Sequence, residues 1–87
     1  MHAVIVNVTV SDHEVGERHL REEVVPAVKQ IPGLVAGYWA RKGDSGTSMV
    51  VFESEDAAKA ASERVPSMVP DVVTIENIEV REVVAHT

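Results

Sequence analysis

The sequence predicts an α+β fold, a four-stranded antiparallel sheet with two helices on one face. Three observations lead there. A period-two apolar run opens the chain at residues 2–10, two stretches of helical spacing follow, and short β-branched runs lie between and after them. Eighty-seven residues suit one domain, residues 1–87, with a single thin core.

Along the opening run Val4, Val6, Val8 and Val10 fall on one face, and Ala3, Ile5, Asn7 and Thr9 on the other. Both faces are largely apolar, so this strand should be covered on both sides. Ser11 and Asp12 are the candidate N-caps of the first helix. Leu20, Val24, Ala27, Val28 and Ile31 form its apolar stripe, and Glu14–Arg18 and Glu17–Arg21 are i,i+4 pairs on a solvated face. Pro26 lies inside the stripe, where it removes the bond to the Glu22 carbonyl, and a kink is expected there. Gly16 either lets the helix approach the sheet or is a tolerated solvent-side glycine.

Pro32-Gly33 closes the helix, because proline cannot continue it and glycine accepts a positive φ. Residues 34–41 form the second strand, 42–47 a hairpin loop, and 48–53 the third strand, antiparallel to the second. Ser54-Glu55-Asp56 caps a second helix whose inner face is small: Ala57, Ala58, Ala61 and Val65. Pro66 is expected to stop it. A loop over 66–70 leads to the fourth strand within 72–85, with an interruption near Glu76-Asn77 and a bulge between Val80 and Val83.

The order β-α-β-β-α-β is ferredoxin-like, with the first and third strands central and the helices on one face. The other face then needs a partner. A second copy of the chain is the economical one, and two such faces together would close an α/β barrel.

Composition excludes several functions. The net charge is −6 with no basic cluster longer than Arg41-Lys42, which argues against nucleic acid. The absence of cysteine removes disulfides, thiolate metal sites and thiol nucleophiles. No run is long enough to cross a bilayer, and the alternating first run lacks the basic leader and cleavage site of a signal peptide, so a cytoplasmic protein is expected. His13 and His19 are not at metal-ligand spacing, no carboxylates cluster for acid–base work, and Gly43 and Gly46 belong to a hairpin, not a phosphate loop. Neither metal nor cofactor is expected.

With its alternating first strand carrying Asn7, its Pro32-Gly33-Leu34 closure and its Val51-Phe52-Glu53-Ser54-Glu55-Asp56-Ala57-Ala58 run, the chain resembles the dimeric α/β-barrel superfamily, and within it the antibiotic-biosynthesis-monooxygenase-like branch. The resemblance implies a homodimer and two comparisons of sites. In the haem-degrading members an Asn, a Trp and a His form the site. Asn7 matches the first, Phe52 stands in place of the Trp, and residues 57–70 contain no His to ligate iron, which disfavours haem degradation. The cofactor-free oxygenases orient a phenolic or anthrone-like substrate with Asn, Trp and Tyr, and Asn7, Tyr38 and Trp39 supply those residue types.

Period two sends Tyr38 and Trp39 to opposite faces, so they cannot share one site. If Leu34 packs under the helices and no bulge intervenes, Tyr38 faces the helices, and Trp39 and Arg41 face the dimer side. Asn7, Tyr38 and Trp39 are thus the catalytic candidates, with Ile5 and Phe52 as pocket-lining residues. Asn7 either orients a substrate oxygen or makes a structural hydrogen bond. Two functions remain open: a cofactor-independent monooxygenase-like enzyme acting on a small aromatic or polyketide-like compound, and a non-catalytic dimer that binds a small apolar ligand or serves as an accessory module.

Overall fold

The alternation at the start of the chain becomes β1 (His2–Val10), the strand around which the sheet is ordered. The computed structural model describes residues 1–87. β1 is flanked by β3 (Ser45–Phe52) and β4 (Val73–Glu82), and β2 (Leu34–Lys42) pairs with the far side of β3. The order β2-β3-β1-β4, antiparallel throughout, is the ferredoxin-like arrangement with β1 and β3 central. No helix is long and apolar enough to cross a membrane.

The first helical run has three parts: α1 (His13–His19), a π-helical segment at Leu20–Val24, and α2 (Val25–Lys29). Asp12 caps it, its carboxylate accepting from the Val15 N–H at 3.2 Å, while Ser11 instead donates to the Val72 carbonyl. The expected disturbance at Pro26 takes the form of this π segment. Pro26 has no N–H for the Glu22 carbonyl and its ring crowds that turn, so the preceding turn widens and the Val25 N–H bonds back to Leu20. Gly33, at φ 85°, then reverses the chain into β2.

α3 (Glu55–Met68) is capped by Ser54, whose hydroxyl accepts from the Ala57 N–H at 3.1 Å. It passes through Pro66, contrary to the expected stop. A proline φ is already helical, and the one ladder bond it forfeits, to the Ser62 carbonyl, is among the last of a 14-residue helix. β3 also starts earlier than expected, at Ser45, leaving Gly43–Asp44 as a two-residue turn. Thr9, Val8 and Asn7 of β1 pair with Ser45, Gly46 and Thr47, and this second ladder holds the residues in strand. In β4 the register shifts at Glu76, where an interruption was expected, and not between Val80 and Val83.

α3 lies against β1, β3 and β4, and Ala58 and Ala61 let its backbone come close. With Val4, Val6, Val28, Val50 and Phe52 they make the core. The first run is held differently. A Cβ on Gly16 would stand 2.9 Å from a Val10 methyl, so α1 touches the sheet there, and Val28 anchors the other end in the core. Between the two anchors Leu20 and Val24 remain only half-buried.

Candidate functional site

Those half-buried residues roof a cavity of about 460 Å3 between the first helical run and the sheet. Its floor is Val4, Val6, Val50 and Trp39, and Ala61 and Val65 of α3 close the far side. The volume falls within the ordinary range for small-molecule sites. The lining is mostly apolar, and the partly exposed His13, Glu17 and Arg41 stand at its rim.

Trp39 reaches this cavity because of a bulge. β2 pairs Leu34 with Phe52 and then Ala36 with Val51, so Val35 is an extra residue and the alternation is inverted beyond it. The sequence-based orientation of the aromatic pair is therefore corrected. Trp39 and Arg41 face the helices, whereas Tyr38, 69% exposed, lies on the open face. The indole folds back over Gly37, where an added Cβ would stand 3.0 Å from the ring. Gly37→Ala is expected to push the ring into the cavity, at a cost of about 1–2 kcal/mol for overpacking. A shift in the emission of Trp39, the only tryptophan, would report it.

Phe52 also lines the cavity and is fully buried. Ile5 and Asn7 do not line it; odd-numbered positions of β1 face the open side. There the Asn7 Oδ1 accepts from the Thr47 hydroxyl at 2.9 Å. The expected set thus divides into Trp39 and Phe52 at the cavity, and Ile5, Asn7 and Tyr38 on the opposite face. The open face presents Ile5, Ala36 and Met49, with Ala3 and Val51 buried beside them, and is charged along β4. On that flank the Asn77 amide and the Arg81 guanidinium, both bonded to Glu79, hold its carboxyl below the usual range.

The rim residues were missed by the sequence reading. His13 donates through Nε2–H to the Asp44 carboxylate at 2.8 Å, and its Nδ1 faces Arg41 Nη1 at 3.4 Å. Arg41 is paired with Glu17 at 2.8 Å. His13 opens α1, Asp44 sits at the β2–β3 turn, and Arg41 comes from β2, so nothing in their spacing foretold the cluster. The backbone joins them: the Val10 N–H bonds the Asp44 carbonyl at 2.8 Å, fastening the turn beside the start of α1.

Solved structures of other proteins share the fold. SnoaB, a cofactor-independent oxygenase from Streptomyces nogalater, superposes with a TM-score of 0.71 at 18% identity, over 98% of this chain and 95% of its own. The chain has the monooxygenase-like ferredoxin fold. MhuD, crystallised with two manganese protoporphyrin IX molecules per active site, gives 0.67 at 19% identity over 100% of this chain and 98% of its own. MupZ from Pseudomonas fluorescens gives 0.67 at 12% identity over 91% of this chain, which spans 65% of MupZ's length. No family model and no curated protein matches the sequence. At these identities the monooxygenase-like likeness is one of fold, and activity has to be argued from the cavity.

Proposed function

We propose that the helix-side cavity binds a small planar aromatic compound of the phenol or anthrone class and supports its oxygenation without metal or flavin. The observation that carries this is an apolar chamber floored by Trp39, with a hydrogen-bonded His13–Asp44 pair at its rim. SnoaB, a cofactor-independent oxygenase of the same fold, supports the reading. An anthrone methylene loses a proton to give a delocalised anion, which adds dioxygen; the resulting hydroperoxide loses water and leaves a carbonyl. One oxygen atom enters the product and the other leaves as water, so the four electrons balance with no added reductant.

Haem, suggested by MhuD, does not fit these residues. The α3 wall presents Ala61 and Val65 with no imidazole, and the two imidazoles that reach the cavity are both bonded through Nε2. His13 donates to Asp44, and His19 to the Met68 carbonyl at 2.7 Å.

Asn7 is tied to Thr47 on the opposite face, and this favours a second reading, ligand binding without turnover. Dioxygen uptake with 1,8-dihydroxyanthrone separates the two. Uptake that Trp39→Ala abolishes supports oxygenation; binding without uptake supports the second reading. Asn7→Ala is expected to leave uptake unchanged.

The open face supports a further part of the proposal: two chains pair through it, in the cytoplasm, as a homodimer. Ile5, Ala36 and Met49 form an apolar surface beside the exposed Tyr38 and Val35. A patch of this kind on a small chain is characteristic of an interface. Light scattering at micromolar concentration should give twice the chain mass, and the mass of one chain would refute pairing.

A further inference from the structure

We infer that His13 is the proton acceptor of this cavity, that Asp44 positions it, and that Arg41 receives the ligand oxygen left negative by the transfer. The inference rests on the proposed binding of a planar phenol or anthrone and assigns which groups ionise it. Asp44 accepts the Nε2–H of His13 at 2.8 Å, and Arg41 can only donate to Nδ1, a geometry that suits the tautomer with its proton on Nε2 and its lone pair at Nδ1. The Arg41 contact is long at 3.4 Å and easily exchanged for a ligand hydroxyl.

The charges around His13 favour that exchange. Asp44 lies on the turn and Glu17 one helical turn further along α1, with Arg41 facing both Glu17 and the imidazole. Glu14, the residue after His13, is engaged by Arg18. When a phenol, or the enol form of an anthrone, gives its proton to Nδ1, the O–H bond breaks and an N–H bond forms. The electron pair stays on oxygen and spreads into the ring. The imidazolium is then held by Asp44, and the new oxyanion lies against the Arg41 guanidinium. The transfer occurs within the site, so its net charge is unchanged. Enol deprotonation and methylene deprotonation give the same anthrone anion, so this step supplies the species that meets dioxygen.

The test uses alizarin, a planar tricyclic phenol whose colour changes on ionisation, about one pH unit below its own ionisation in water. Quenching of Trp39 fluorescence reads occupancy, and the visible spectrum reads the ionised fraction of bound dye. The intact protein should quench and should bind the coloured anion. His13→Gln should still quench but lower the ionised fraction about tenfold. Asp44→Asn should lower it in the same direction, with partial rescue by Asp44→Glu, and circular dichroism of each variant should match the parent. Binding of neutral dye by the intact protein, or equal ionisation in His13→Gln, overturns the assignment while leaving the cavity reading standing. Absence of quenching overturns both.

Discussion

Phe52→Ala is expected to destabilise the chain by about 3–5 kcal/mol, the range for truncating a buried aromatic residue. Phe52 is the largest side chain fully removed from solvent, and it ends the central strand β3. It pairs with Leu34 on one side and His2 on the other, so its ring bridges three strands beneath α3. The site cannot collapse easily, because Ala58 and Ala61 beside it are already too small to fill the void. A domain of this size has about 5–15 kcal/mol in total, so the variant should lose a large share of its stability. Urea denaturation checks this. A loss below about 1 kcal/mol would mean that the core lies elsewhere.

Ile5→Lys is expected to convert the proposed dimer into folded single chains. Ile5 lies on the open face between Met49 and Glu79. In one chain the new ammonium can pair with Glu79 and remain solvated, so the fold should survive. In a face-to-face pair, symmetry would bury two ammonium groups against apolar surface, each costing several kcal/mol. The dissociation constant should rise by at least about a thousandfold. Sedimentation velocity with unchanged far-ultraviolet circular dichroism would meet the expectation, and a persisting dimer would place the interface elsewhere.

The sheet was legible because its signals are local. Period two in residues 2–10, the Pro32-Gly33 closure and the Ser54 cap each act within a few residues, and together they dictate element order and strand order. The site was harder to read because its determinants are not local. One extra residue, Val35, inverts every side chain after it, and the bulge is created by how β2 meets β3, not by any special residue type. The π segment before Pro26 belongs to a helical run that reaches the sheet at Gly16 and the core at Val28, and the half-buried stretch between them makes room for the cavity. His13 and Asp44 are 31 positions apart and meet only after β1 and the β2–β3 turn have been laid side by side. Asn7 drew attention as a polar residue on an apolar strand, yet Thr47 across the ladder accounts for it.

The claim on which the functional reading depends is that ligand enters beside Trp39 and not against Tyr38. Two-dimensional amide NMR of the labelled protein, titrated with 1,8-dihydroxyanthrone, tests it directly. Shifts should concentrate on the Trp39 indole N–H and the amides of Val6, Val24 and Val50, with His13 and Arg41 at the rim following. Shifts confined to Ile5, Asn7 and Tyr38 would contradict the account and move the site to the opposite face of the sheet.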